Sequence, residues 1–242
     1  MIRLFLVLLL TSLITPSAFS QKQQVDKEAK GLKGNVKNVD RHISLIDRSS
    51  GEPESTRQRA GTEEFDADGN LTVEKYYDPF GDVLALLTYS FLDGERVVKR
   101  EFKSKRVMVL RRPGDEPTRT ADPRYTAKLK HKYDSNGNRI ESTWIYSDGS
   151  RSTKQVYTFR ENEREELLYS AESLTAKYVY KLDDKGNELE KLAIEYESPR
   201  GPLQGKTKYT YLEFDSQGNW IKRRESSGDQ SWIIYRTITY HR

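Results

Sequence analysis

The sequence predicts an all-β protein: an extended, twisted antiparallel meander of hairpins with few or no helices after an N-terminal export segment. A turn pattern, an apolar or aromatic residue followed by Asp-x-x-Gly-Asn, recurs at 65–70, 133–138, 182–187 and 214–219. Before three of these turns, larger apolar or aromatic residues alternate with polar ones, as in KYVYKLD at 177–183. A period of two is typical of strands that bury one face.

Residues 1–20 are predicted to be a signal peptide. Arg3 supplies the positive start, LFLVLLLTSLI at 4–14 supplies the apolar region, and Ala18 and Ser20 precede the expected cleavage. The apolar run is short for a bilayer, so we expect no stable membrane span after signal cleavage, with a retained anchor as the alternative. The sequence has no Cys, so we expect neither lipid attachment nor disulfides. The expected location is the periplasm or the cell exterior.

The charge balance of the chain disfavours nucleic acid as a partner. The sequence has 41 Lys and Arg against 37 Asp and Glu, a small excess rather than a concentrated basic stripe. The fifteen tyrosines suit a sheet face that is partly exposed to water, because the ring packs while the hydroxyl reaches water. We expect an ordered β protein with a thin core, whose partner is a glycan or another envelope protein.

Each Asp-x-x-Gly-Asn unit is predicted to reverse the chain. The Asp accepts backbone N–H groups, the Gly supplies a positive φ, and the Asn tolerates the adjoining conformations. A calcium loop at 64–75 is the alternative, but with Gly69 as the sixth position Lys75 falls where a bidentate carboxylate is needed. We therefore expect no metal and no cofactor. The turn residues are Asp66, Gly69, Asn70, Asp134, Gly137, Asn138, Asp183, Gly186, Asn187, Asp215, Gly218 and Asn219.

The chain after the signal peptide divides into a flexible leader at 21–31 and a single repeat-built β domain at 32–242. Three prolines interrupt the pattern at 111–125, where a central strand cannot run because proline donates no ladder hydrogen bond. This segment is either a loop in one continuous sheet or a division between two lobes. Residues 161–173 form either a helical turn or another hairpin.

The Tyr-Asp-x-x-Gly-Asn unit at 133–138 and its variants resemble the YD repeats of RHS-type bacterial cell-surface and toxin proteins. The tail at 214–240 is similar to the C-terminal unit of small exported bacterial proteins with such repeats. The resemblance covers most of 62–240 and implies a YD-repeat-like, spiralling β-sheet with a link to carbohydrate binding. The chain departs from the family in its irregular spacing, and it is too short to enclose a cargo.

Two features could form a binding surface. Six aromatic residues form a predicted ligand face that could stack on sugar rings or on a partner's side chains: Trp144, Tyr146, Tyr178, Tyr180, Tyr209 and Tyr211. The alternative is that they form the core. The basic segment at 96–112 is either a solvated sheet edge or a contact for anionic envelope polymers.

No catalytic signature stands out, and we assign no catalytic residue. His131 is expected on the inward side of a strand, and no zinc spacing, nucleophile elbow or phosphate loop is present in the sequence. The leading hypothesis is a non-enzymatic exported binding or structural module of the bacterial envelope with an extended polar-aromatic face. The alternatives are a small glycan hydrolase, which needs two converging carboxylates, and a carrier of an amphipathic ligand, which needs an apolar concavity.

Overall fold

The structure, a computed structural model, describes residues 25–92, 95–103, 124–147, 149, 152–197 and 201–242. The predicted signal peptide and the three interrupting prolines lie outside these ranges. Within them the chain forms one short helix and fourteen strands. These are α1 (Asp26–Ala29), β1 (Val36–Leu45), β2 (Gln58–Phe65), β3 (Leu71–Tyr77), β4 (Val83–Leu92), β5 (Glu95–Phe102), β6 (Arg124–Tyr133), β7 (Arg139–Tyr146), β8 (Thr153–Arg160), β9 (Glu163–Ser170), β10 (Ser173–Leu182), β11 (Glu188–Glu195), β12 (Leu203–Phe214), β13 (Trp220–Ser227) and β14 (Gln230–Tyr240).

The sheet closes on itself. Every strand pairs antiparallel with its sequence neighbours, and β1 pairs with β14, so the fourteen strands form a closed barrel. The closing register runs from Val36 opposite Tyr240 to Leu45 opposite Trp232. The predicted extended open meander is therefore wrong, although the protein is all-β. Closure is favourable because the unpaired N–H and C=O groups of two sheet edges find partners in each other.

The predicted repeat architecture is wrong for the same reason. An open spiral of the RHS type adds hairpins in one direction without limit, whereas this ring is complete when β14 meets β1. The Asp-x-x-Gly-Asn pattern therefore marks a type of turn and not a structural unit that stacks. The resemblance to YD repeats does not describe this fold.

The four Asp-x-x-Gly-Asn units connect β2 to β3, β6 to β7, β10 to β11 and β12 to β13. In the β6–β7 turn, Asn138 N donates to Asp134 Oδ1 over 2.8 Å and Gly137 N donates to Asp134 O over 3.1 Å. The φ of Gly137 is 82°, a conformation that a Cβ would strain. Each of these turns follows an even-numbered strand of an up-and-down barrel, so all four lie at the same end, which we call the turn end.

The sheet is continuous across the proline-rich interruption. β5 and β6 flank it and pair directly, with Arg96 opposite Leu129 and Glu101 opposite Arg124. Residues 163–170 form β9 rather than a helical turn. Because β5 is paired on both sides, the basic segment beginning at residue 96 is not a sheet edge, and its positions from 104 onward lie outside the described residues.

The two faces of the barrel differ in exposure. Residues opposite each other on neighbouring strands share a face, and the registers connect one set of positions around the whole ring. On this set charged side chains are enclosed: Glu63, Arg96 and Arg223 are 8%, 10% and 15% exposed. On the opposite set Lys130 and Lys132 are 60% and 69% exposed. We call the first set the interior face and the second the exterior face.

The residues before β1 enter the barrel at its turn end. Lys27 N donates to Gly69 O over 3.1 Å, and Lys33 N donates to Asn219 Oδ1 over 2.7 Å. Residues 25–35, which we call the N-terminal segment, thus join the β2–β3 turn to the β12–β13 turn. The predicted flexible leader at 21–31 overlaps the N-terminal segment, and its described part, from residue 25 onward, contains α1.

The main apolar cluster lies beside the N-terminal segment. It consists of Leu32, Val36, Val39, Phe65 and Leu71, with Tyr89, Ile238 and Tyr240 packed against it. In the part of the chain that the structure describes, no helix is long and apolar enough to cross a membrane.

Candidate ligand-binding interior

The six residues of the predicted ligand face all lie on the interior face. Tyr178 is opposite Glu166, and Tyr180 is opposite Arg164. Tyr209 and Tyr211 likewise lie opposite charged residues, Glu225 and Arg223. Trp144 and Tyr146 lie opposite the apolar residues Leu129 and Ala127. The predicted face is therefore concave, because barrel closure turns it inward.

Arginines stack on the aromatic rings of this wall. The guanidinium of Arg164 lies 4.2 Å from the centre of the Tyr180 ring. Arg223 lies 4.4 Å from the ring centres of both Tyr209 and Trp220. Such stacking favours a cation over the electron-rich face of the ring, so these arginines hold the aromatic side chains in place.

Two glutamates complete the cluster. Glu188 accepts a hydrogen bond from Arg164 over 2.6 Å and lies 3.8 Å from Arg223. Glu225 accepts from Arg223 over 2.5 Å and from the indole N–H of Trp232 over 3.0 Å. We call the set of Arg164, Tyr178, Tyr180, Glu188, Tyr209, Tyr211, Trp220, Arg223, Glu225, Trp232 and Arg236 the aromatic–arginine cluster. The sequence pattern predicted the aromatic members Tyr178, Tyr180, Tyr209 and Tyr211 but none of the charged ones.

The phenols of this wall are neutral hydrogen-bonding groups. Burial, followed by nearby glutamates, raises the pKa of Tyr180 and that of Tyr209 well above the ordinary value. The hydroxyl of Tyr211 donates to the carbonyl oxygen of Glu188 over 2.9 Å. The interior can therefore offer O–H donors and acceptors across the physiological pH range.

An open cavity of about 700 Å³ lies at the turn end beside this cluster. Tyr209 and Tyr211 line it together with the apolar side chains of Leu189 and Phe214, and with Lys185 of the β10–β11 turn. Lys33 of the N-terminal segment also lines it. We call this cavity the rim pocket. It brings two residues of the predicted ligand face to an opening of the barrel.

A second polar group on the interior face surrounds His131. Its Nδ1 lies 2.9 Å from Ser142 Oγ, and its buried Nε2 has no partner among the described residues. Burial and the positive charge of Arg139 lower the pKa of His131 to about 3. The ring is therefore neutral at physiological pH, at the inward position that the strand pattern predicts.

Glu166 lies nearby on the same face and accepts a hydrogen bond from Gln155. Burial raises its pKa, and the negative charge of Glu188 adds to the effect. A raised pKa makes the protonated form of a carboxyl group easier to populate, and that form can donate as well as accept a hydrogen bond. Glu166 thus differs in its surroundings from Glu188, which accepts a hydrogen bond from Arg164 and lies 3.8 Å from Arg223.

The N-terminal segment contributes charges that no local pattern reveals. Asp26 is 5% exposed and forms ion pairs with Arg96 and Arg139, the second at 2.8 Å. Lys30 lies 3.1 Å from both Glu63 and Glu74. Because these partners are distant in the sequence, only the fold brings them together.

The aspartates of the turns are occupied within their own turns. Asp66 and Asp183 accept the backbone N–H of Asn70 and Asn187 over 2.8 Å and 2.7 Å. Asp134 and Asp215 bind in the same way. Over the described ranges no three His, Cys, Asp or Glu side chains form a group that could hold a metal ion.

Comparison with known proteins finds similarity only in architecture. No protein-family model and no curated protein matches the sequence. A solved structure of a porin-like protein from Bacteroides uniformis aligns with a TM-score of 0.44 at 10% identity, covering 86% of this chain and 98% of that chain. The fold and its interior define the present chain as a fourteen-stranded up-and-down β-barrel with a polar-aromatic interior.

Proposed function

We propose that this chain is an exported, non-enzymatic β-barrel that binds a hydroxyl-rich ligand, a glycan, inside the barrel. The observation that carries the proposal is the aromatic–arginine cluster on a concave wall. Flat aromatic faces stack on sugar rings, and fixed carboxylates and guanidinium groups bind hydroxyls. A few convergent polar groups within an aromatic concavity are typical of small-molecule sites.

The balance of interior charge supports a polar ligand over an amphipathic one. Arg164, Glu188, Arg223 and Glu225 alternate with the tyrosines around the wall. An amphipathic carrier needs a contiguous apolar concavity, and these side chains interrupt the wall that β9 to β13 form. The structure therefore favours the binding module over the carrier.

The charged side chains of the exterior face favour a barrel that is surrounded by water. Lys177 pairs with Glu165 over 2.6 Å, and Lys206 pairs with Glu190 over 2.8 Å. The exterior lysine Lys132 is 69% exposed. A Lys or Arg in the lipid-facing middle of a membrane barrel costs roughly 2–4 kcal/mol, and this exterior carries many. Together with the predicted signal peptide, this favours a location in the periplasm or outside the cell.

The test is glycan binding by the purified chain from residue 21 onward, first on a glycan array and then by calorimetry. Tyr209, 8% exposed, is the residue to change. We expect Tyr209→Ala to weaken binding at least tenfold. The matched control is Tyr235→Ala on the exterior face of β14, which should leave affinity unchanged. The proposal fails if the chain binds neither glycans nor envelope extracts, and fractionation into the outer membrane would overturn the water-exposed location.

Glycan hydrolysis is a second candidate, and Glu166 is the reason to retain it. Glu166 has a raised pKa, and the charge of Glu188 is felt at its carboxyl group. A carboxyl with a raised pKa and a second carboxyl group are what a general acid and its partner require. If the chain hydrolyses the glycan that it binds, Glu166→Gln should abolish turnover and preserve affinity. Binding without any turnover in the unaltered chain would exclude this candidate for the glycan tested.

A further inference from the structure

Arg236 is a guanidinium on the interior face without a carboxylate partner. It lies on β14 opposite Arg41 of β1. Among the residues that the structure describes, no Asp or Glu forms an ion pair with it, and its enclosed Nε has no hydrogen-bond acceptor. A buried charge normally has a partner of opposite sign, because its desolvation is costly.

The nearby carboxylates already have cationic partners. Glu63 lies 3.1 Å from Lys30 and 3.5 Å from Arg41. Glu225 is bound by Arg223 over 2.5 Å. Glu63 and Glu225 are thus both paired with other cations, whereas the guanidinium of Arg236 has no carboxylate partner among the described residues.

Burial and the like charges of Arg223 and Arg41 lower the pKa of Arg236 to about 10, even though Glu63 acts in the opposite direction. The side chain therefore remains a cation at neutral pH. An anion placed beside it would relieve the repulsion from its two neighbours.

The guanidinium is held in a defined orientation. It lies 4.0 Å from the centre of the Trp220 ring. The Trp220 ring in turn lies 6.1 Å from the ring of Tyr211, which lines the rim pocket. Trp220 thus lies between Arg236 and a residue that lines the rim pocket. A planar guanidinium stacked on an indole can present two N–H groups to one anion.

We propose that the interior ligand carries an anionic group, a carboxylate, sulfate or phosphate, that binds Arg236 beside Trp220. This proposal rests on the proposed function and narrows its ligand class from glycans in general to acidic glycans. Arg236 supplies the counter-charge, while the tyrosine wall stacks on the sugar.

The experiment is an NMR titration of the indole N–H signals with glucose, glucuronate, glucose 6-sulfate and glucose 6-phosphate. We expect at least one acidic sugar to bind at least tenfold more tightly than glucose and to shift the Trp220 signal. The acid that binds best identifies the anion. Arg236→Met, which keeps side-chain bulk on the indole, should remove this preference.

The matched control is Arg224→Met, since Arg224 lies on the exterior face of β13 and should not affect the preference. Arg236→Met should unfold at the same temperature as the unaltered chain or higher, because it removes an unpaired charge. Strong destabilisation would instead show that Arg236 has a structural partner, and would overturn the proposal.

The two proposals fail in different ways. If acidic sugars bind no more tightly than glucose, or if Arg236→Met keeps the preference, the acidic-ligand proposal is overturned and glycan binding stands. If no sugar binds in this titration, inorganic sulfate and phosphate become the probes, and glycan binding itself fails if the array and the envelope extracts are negative as well. A Trp220 shift that Arg236→Met removes would then support the anion site, and no shift would overturn it.

Discussion

Replacing Asp26 by asparagine tests how the N-terminal segment is held in the barrel. The carboxylate pairs with Arg96 and Arg139 and accepts the backbone N–H of Leu71 over 2.8 Å. Burial alone would raise the pKa of Asp26, but Arg96 and Arg139 outweigh it and lower the pKa to about 2. The charged carboxylate is therefore stabilised in the folded chain.

The expected cost follows from this pKa. A decrease from 3.8 to about 2 corresponds to roughly 2.4 kcal/mol of stabilisation. Removing one member of a buried ion pair costs roughly 3–5 kcal/mol, because the remaining charge is left buried. We expect Asp26→Asn to lower the free energy of unfolding at neutral pH by about 2–4 kcal/mol.

The sign of the pH dependence is also fixed. The folded-state pKa of Asp26 is below the unfolded-state value, so its contribution is present above pH 4 and is lost as the pH falls towards 2. The unaltered chain should lose more stability over this interval than Asp26→Asn does.

The assay is urea unfolding followed by tryptophan fluorescence, together with limited trypsin digestion at Lys27 and Lys30. Asp47→Asn is the control, because hydrogen bonds from Ser49 and Ser50 also lower the pKa of Asp47 to about 2 but its side chain is exposed. Its effect should be much smaller, since solvent screens exposed pairs. If both variants unfold at the same urea concentration as the unaltered chain, the N-terminal segment is not held as described.

Three further predictions concern single contacts. Gly69→Ala should destabilise the barrel by more than Gly186→Ala. Both glycines have a positive φ, but of the two only Gly69 has side-chain carbon atoms, those of Lys27, 2.7 Å from the position that a Cβ would occupy. Thermal unfolding of the two variants measures the difference. Asn219→Ala should cost about 1–3 kcal/mol and Asn138→Ala less in urea unfolding, because Asn219 also binds the N-terminal segment. With its pKa lowered to about 3, the His131 ring should show no NMR titration between pH 4.5 and 8, and stability should fall as the pH drops from 6.5, a fall that His131→Gln should reduce.

Short-range features of this fold could be predicted from the sequence. The bond from Asn138 to Asp134 spans four residues, so turn chemistry alone identifies the reversal. Closure could not be predicted, because it depends on Val36 pairing with Tyr240 at the other end of the chain. An open sheet and a closed barrel require the same alternation of residues, and nothing local distinguishes them.

The interior could be predicted only in part. Alternation places Tyr178 and Tyr180 on one face, but it does not show whether that face is concave. The charged residues were missed because such side chains are ordinarily assigned to water. A signal existed at Arg223 and Glu225, which are two residues apart on one strand and so share a face. Asp26 gave no signal, since its partner Arg139 is 113 residues away.

The interior wall contains ion pairs, and their energetics indicate what the wall is for. Buried ion pairs are often less stabilising than apolar residues of the same volume, because both charges must be desolvated. Arg164 and Arg223 share Glu188, and leucines at these three positions would avoid the free-energy cost of desolvating the charges. Such a network does hold aromatic rings and hydrogen-bonding groups in fixed positions, as binding a polar ligand requires. The polar wall therefore fits the proposed glycan binding better than a purely stabilising role. If that proposal holds, substituting apolar residues for these three should preserve the barrel while abolishing glycan binding.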